Sequence, residues 1–301
     1  LEAERLSPNR DLTADSWATW LLRERYGASD EIKRSVSGAL HLWRDRVLRN
    51  ARIKPGDTVL DVGTGDGLVG LGALELVGPA GCVVFSDVSE RLLRACRRSV
   101  ATSRLPGSAR FVVAAAEDLR PVSSASVDVA TTRSVIMHVD DRPAAFREFY
   151  RVLRPGGRLS CFESLASRLP TEAGDRYRGY DVTGIRPIID RIRDHGQRPS
   201  PLATETMMDF DDVDLVRWAR EAGFAHVHLT LETDVASPSP MRNWEFFFHT
   251  RTHPLIPSLA EEASAALSPR EQETLQSHLR PLVEAGVGER RQAVAYLFAS
   301  R

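Results

Sequence analysis

One stretch constrains the fold of this chain more than any other: "VLDVGTGDGLVG", residues 59–70. The apolar run 58–62 reads as a buried strand, and glycines follow at 63, 65, 67 and 70. Glycine tolerates positive φ and admits close approach of backbone or ligand. A strand that ends in such a turn and continues as a helix opens an α/β sheet with a ligand crevice at its strand ends.

The chain downstream keeps that rhythm. Strands are expected at 82–88, 109–116, 127–135, 158–164, 226–233 and 290–300. Helices are expected through Leu76 and over 89–105, 142–153 and 211–224, with Ser89 placed to cap the second. Short apolar strands alternating with helices mean a parallel sheet covered on both faces. Before the sheet, residues 14–50 predict two helices. Trp17, Trp20 and Leu21 share helical spacing, Asp15 or Ser16 is the expected cap, and Gly27 the stop. Two segments break the pattern: 165–210, with "RYRGYDVTG" and several prolines, and 234–288, with two or three helices and "NWEFFFH".

Gly65, Gly67 and Gly70 satisfy G-x-G-x-x-G, and Asp87 ends the next strand where a ribose acid belongs. Alone, that would suit a dinucleotide. Asp61 and Asp66 argue against it, because two carboxylates beside a diphosphate repel it. S-adenosylmethionine (SAM) reverses the sign. It has no phosphate, and its sulfonium and ammonium groups favour nearby acids.

With those residues in view, Val59–Gly67 resembles motif I of the class I SAM-dependent methyltransferases. Asp87, ending "VVFSD", resembles their ribose-binding acid. "AAAEDL" (114–119) looks like the adenine-contacting segment, "SVDVATTRSVIMHV" (126–139) like the fourth-strand segment, and "VLRPGGRL" (152–159) like the lead into strand five. The type-11, ubiquinone/menaquinone-methyltransferase-like group is the one most resembled. The resemblance implies a doubly wound, Rossmann-like, seven-stranded α/β sheet with an antiparallel last strand. It also implies SAM contacts at Asp61, Gly63, Thr64, Gly65, Gly67, Asp87, Val88, Ala116, Glu117 and Arg133. Where the family often has an Asp for the adenine amino group, this chain has Ala115, which leaves Glu117 or Asp118 as replacements.

For chemistry, His138 reads either as a general base or as a hydrogen-bonded structural histidine, and Glu163 ends strand five near the crevice. Tyr177, Tyr180, Trp244, Phe247 and Phe248 read either as core or as an acceptor wall. Trp17, Trp20 and Tyr26 share that ambiguity, and Arg44 and Arg46 either reach the SAM carboxylate or are solvated. The expected units are an N-terminal helical cap (1–55), a SAM-binding core (56–166), a lid insertion (167–210), a core helix and strand (211–233), a helical insertion (234–288) and a last core strand (289–301).

Composition narrows the partners. Net charge is −1, so no global positive field draws the chain to nucleic acid or acidic membranes. Cys82, Cys96 and Cys161 form no metal-binding pattern and no disulfide framework. No apolar run has the length of a membrane span, and the first residues lack a signal-peptide core, so a cytoplasmic monomer or homodimer is expected. The expected activity is methyl transfer to an O, N or C nucleophile of a small molecule, in specialised metabolism. A peptide or protein acceptor is the alternative, and a non-catalytic nucleotide-binding module the remote one.

Overall fold

The computed structural model describes residues 13–25, 30–169, 174–196, 209–236 and 242–301. The Thr13 hydroxyl accepts from Ser16 N, so the cap of α1 (Ala14–Thr19) lies ahead of Asp15 and Ser16. The helix runs on as a π turn, Trp20–Glu24. The expected stop at Gly27, and Tyr26, lie outside the described residues. α2 (Asp30–Ala51) then leads into the sheet.

The sheet elements alternate as the sequence implies. β1 (Thr58–Val62), α3 (Leu68–Val77), β2 (Cys82–Asp87), α4 (Glu90–Ser103), β3 (Ser108–Val113), β4 (Val127–Arg133), α5 (Arg142–Val152) and β5 (Leu153–Ser164) follow in order. A hairpin, β6 (Arg176–Tyr177) and β7 (Tyr180–Asp181), precedes α6 (Arg186–Gly196). Its turn residues Arg178 and Gly179 both have positive φ (51° and 88°), the geometry that matches strand twist in a two-residue hairpin. α7 (Asp212–Ala222) and β8 (His226–Ala236) return to the sheet, α8 (Trp244–His249), α9 (Leu259–Ala266) and α10 (Pro269–Ala285) leave it again, and β9 (Arg290–Ser300) completes it.

Seven strands lie in the order β3-β2-β1-β4-β5-β9-β8. The first five are parallel to one another, and β9 runs antiparallel to both β5 and β8. β1 shows why the sheet is covered twice. Val59 joins Val83, Phe85, Ala73 and Leu93 under α2, α3 and α4, whereas Leu60 joins Val84, Phe146 and Trp218 under α5 and α7. Each such side chain contributes about 1.5–3 kcal/mol by leaving water.

A third core stands apart from the sheet. Tyr180, Val182 and Ile189 from the first insertion pack with Trp244, Phe248, Leu259 and Leu279 from the second. The two insertions, expected to cap the carboxyl edge together with the N-terminal helices, share this one core. Conversely, α2 is not part of the cap: Val47, Leu48 and Ala51 are buried against α3 and the sheet. The sheet topology brings the carboxyl ends of β1–β5 and the start of β9 to one edge, where Ser164 pairs with Val294.

Candidate active site

The glycine turn after β1 is fixed from two sides. Thr64 N donates to Ser86 O at 2.9 Å, and Gly65 N donates to Asp87 Oδ2 at 2.9 Å. Gly63, Gly65 and Gly67 have φ of 62°, 58° and 92°. A Cβ on Gly63 would lie 2.4 Å from Val135 Cγ2, so the turn and the loop after β4 touch at the backbone. Gly67 begins α3 and faces Cys96 rather than the cavity. Beneath the turn, Asp61 accepts from Thr64 Oγ1 at 2.6 Å and Thr131 Oγ1 at 2.9 Å. Burial pushes its carboxyl up to about 6, against those two bonds, the Gly70 N–H and the charge of Arg133.

Asp87 is 6% exposed. Its Oδ1 accepts from Ser89 N at 2.9 Å while Oδ2 holds Gly65. Burial raises its pKa despite these bonds. The Val88 N–H also favours its anion, and a carboxylate's roughly four acceptor sites still leave room for a hydroxyl. Val88 and residues 114–117 continue the wall. Asp118 is turned away into a surface pair with Arg120, which leaves Glu117 as the acid at the Ala115 position. Glu117 is itself held above the usual carboxylate range, first by burial and then by Asp140, Asp141 and Asp118.

The loop after β4 carries Arg133, Ser134, Val135 and His138 into the cavity. Ser134 has φ 55°, a left-handed conformation that costs a non-glycine residue about 1–2 kcal/mol. Glu163 does not line the cavity. It lies fully buried beneath this loop and accepts from the N–H groups of Val135 and Ile136, both at 2.9 Å, and of Met137 at 3.4 Å.

The opposite wall comes from the ends of the chain. Trp17, Trp20, Leu21 and Arg25 reach in from the first helix, Trp43 from α2, Thr252 from the cap, and Arg291, Gln292 and Val294 from β9. Together with the glycine turn they line a half-open cavity of about 650 Å³. His138 sits between two rings, its centroid 4.7 Å from Trp17 and 5.2 Å from His253. Burial, then the neighbouring His253, Arg25 and Arg142, push the His138 imidazole down to about 3. Burial takes His253 to about 4, and its Nδ1 accepts from Leu255 N at 3.1 Å.

The expected aromatic acceptor wall lies elsewhere. Trp244 and Phe248 stack at 4.7 Å inside the cap core, Tyr180 packs edge-on to Phe247, and the Tyr177 hydroxyl meets Glu262 at 3.1 Å. None of them lines the cavity, because the helix that carries "WEFFFH" turns its apolar face to α9 and α10 instead. Arg44 pairs with its neighbour Asp45, and Arg46 stacks over Tyr296 and pairs with Glu232, so neither points at the cavity. His253, Thr252, Arg291 and Gln292 were not legible as site residues. The one signal for the last two was a polar start, "RRQ", on an otherwise apolar strand.

The first half of this cavity fits SAM. It offers a turn whose Gly65 holds a φ of 58° that disfavours a side chain, a buried acid with acceptor capacity for a ribose diol, and the acids Asp61, Asp66 and Glu117 in its wall, which suit a ligand carrying a sulfonium and an ammonium. Carboxyls raised by burial return to the ionised state when a cation arrives. The strand order and the acid-lined glycine turn together define a class I SAM-dependent methyltransferase. The model of the ubiE/COQ5 methyltransferase family matches residues 26–236, and the chain belongs to that family. It is 32% identical over 188 residues to the ubiquinone/menaquinone biosynthesis C-methyltransferase UbiE of Marinomonas sp., covering 58% of this chain and 73% of the relative. It is 31% identical over 196 residues to the UbiE of Pseudomonas putida, covering 64% and 75%. Among solved structures, the YcgJ protein of Bacillus subtilis shares the fold at a TM-score of 0.52 and 16% identity, over 87% of this chain and 98% of that one. Haemonchus contortus phosphoethanolamine N-methyltransferase 2 shares it at 0.50 and 15%, over 97% and 58%. SAM is the cofactor. Among the described residues, no helix is long and apolar enough to cross a membrane.

Proposed function

We propose that this enzyme methylates an O, N or C nucleophile of a small molecule bound in the half of the cavity between His138 and β9. One observation carries the reading: a single half-open cavity runs from Glu117 to Gln292 and is bordered by Trp17, Trp20 and Thr252 of the cap. That size suits a cofactor beside a small acceptor. A peptide acceptor, the competing reading, needs a longer open groove; at the His138 end of this cavity the rings of Trp17, His138 and His253 pack against one another.

SAM supplies an electrophilic methyl group on a sulfonium, so the chain's work is to bind, orient and exclude water. In this reading Asp87 holds the ribose hydroxyls, the 63–65 turn the methionine portion, and Glu117 the adenine edge. Arg133 and Gln292 orient the acceptor. Gln292 Oε1 already accepts from Arg290 at 3.1 Å, which leaves its amide N–H groups for the cavity. His138 is neutral at physiological pH and weakly basic, so its favoured role is a hydrogen bond to the acceptor rather than removal of its proton.

The relatives' names speak of ubiquinone and menaquinone biosynthesis. The family match ends at residue 236, while Thr252, Arg291, Gln292 and Val294, which line this cavity, lie beyond it. In this reading the acceptor is the enzyme's own, a compound of specialised metabolism. The test is calorimetry with SAM, its demethylated product and NAD, followed by labelled-methyl transfer to panels of phenols, amines, active-methylene compounds and peptides. Label in peptides alone overturns the acceptor class, and failure to bind SAM overturns the whole reading.

A further inference from the structure

Glu163 is a buried acid for which methyl transfer itself has no use. Its carboxylate accepts three consecutive backbone N–H groups, those of Val135, Ile136 and Met137. Those groups open the short 3₁₀ turn Ile136–His138. The turn has two working ends. At one, Val135 lies against the α-carbon of Gly63; at the other, His138 faces Trp17 and His253. Ser134, just before it, is in the left-handed region, a conformation that persists only where its surroundings hold it.

We infer that Glu163 is a positioning residue that fixes the loop after β4, and thereby couples the SAM-binding glycine turn to the acceptor wall. The inference stands on the cofactor and not on the identity of the acceptor. An ionised carboxylate is an acceptor only, which suits three converging donors; a protonated one presents an O–H to them. Burial pushes Glu163 up to about 7 although the three N–H groups and Arg133 all favour its anion. The groups that face it are Arg133 at the end of β4 and the Cys161 thiol, 4.0 Å away on β5; Ala295, its neighbour on β9, does not titrate. Loop geometry should therefore loosen as pH falls through neutrality.

The probe is S-adenosylhomocysteine, which lacks the sulfonium charge and whose ammonium is balanced by its own carboxylate; Glu163, buried outside the cavity lining, does not touch it, so a Glu163-dependent pH effect on its binding comes through the loop. In calorimetry at about pH 8, Glu163→Gln should bind it about tenfold more weakly than the parent, because the amide sets an N–H against Met137 N. Parent affinity should fall toward that of the variant by about pH 6, leaving in the variant the slope that the other raised acids of the site, Asp61, Asp87 and Glu117, contribute. Equal affinity at the higher pH, or an equal slope in both proteins, overturns the inference. If the variant does not fold, amide exchange in the parent decides. Protection of Val135, Ile136 and Met137 should drop below about pH 7, and pH-independent protection overturns the role. Absence of binding to the parent at every pH strikes the cofactor reading instead, and the exchange measurement still decides the role of Glu163.

Discussion

The indole N–H of Trp20 donates to the carbonyl oxygen of Arg251 at 2.9 Å, across 231 positions of sequence. The Arg251 guanidinium meets Glu24 at 3.3 Å and also pairs with Glu261. The first helix and the cap are thus clasped directly above the cavity. Trp20→Phe keeps the ring and removes the bond, at a cost of about 1 kcal/mol of closure. The KM for the acceptor should rise several-fold while SAM affinity stays put. A fall in SAM affinity with no change in that KM would place the clasp on the wrong half of the site.

Asp87 holds the protein's own backbone and, in the proposed reading, the ribose as well. Asp87→Ala should weaken SAM binding by about 1–3 kcal/mol, and also lower the melting temperature, because Gly65 N and Ser89 N lose their acceptor. Calorimetry and thermal melts read the two effects separately. Unchanged affinity removes Asp87 from the ribose site whatever the melting temperature does.

Gly63→Ala should be severe, since the new methyl group combines a φ of 62° with a 2.4 Å contact to Val135 Cγ2. The strain alone is about 1–3 kcal/mol. Adding Val135→Ala should restore part of the lost SAM binding, because it removes the clash and leaves the strain. Equal losses in the single and double variants would mean that the two residues do not press on one another.

Trp244 is 4% exposed inside the cap core and stacked on Phe248. Trp244→Ala should destabilise the cap by about 3–5 kcal/mol and leave SAM affinity unchanged. Amide exchange should rise across α9 and α10 first. A variant with a normal cap but a changed acceptor preference would return Trp244 to the pocket wall.

The pH dependence of stability rests on two opposed pairs. His138 and His253 are depressed to about 3 and about 4, so their neutral burial favours folding fully above the unfolded value and loses that contribution as pH falls. Asp61 and Glu163 are raised to about 6 and about 7, so their contribution is full at low pH and is lost as pH rises. Between about pH 5 and 6 the two pairs oppose one another, and the raised acids Asp87 and Glu117 add to the second, so the parent's melting temperature should fall only gently as pH rises. His253→Asn removes one histidine and keeps an acceptor for Leu255 N, so its stability should fall more steeply as pH rises through that window. Parallel melting profiles for the two proteins would contradict the balance.

The sheet was legible because each strand's apolar run and each turn's glycines are local signals. "TVLDV" followed by four spaced glycines needs no distant partner to be read, and Ser89 caps α4 through its own hydroxyl. The acceptor half was not legible, for the opposite reason. Trp17, His138 and His253 meet only through tertiary packing, and no spacing in the chain announces that they will. "NWEFFFH" misled because an apolar helical face looks the same whether it covers a ligand or another helix. Glu163 was placed correctly at a strand end near the crevice; what sequence could not show is that its oxygens turn down to the loop's backbone.

The position of β9 between β5 and β8 has a consequence for how the sheet is assembled. Among the described residues β8 pairs with β9 alone, and residues 237–289 must be synthesised after β8 before β9 exists to pair with it. Until then β5 shows an open edge, and β8 is a strand with nothing to bind. The cofactor's strands, all earlier in the chain, can pair without waiting. Assembly thus ends at the acceptor's wall, and the period before β9 inserts is when a nascent chain is most open to pairing with the wrong strand.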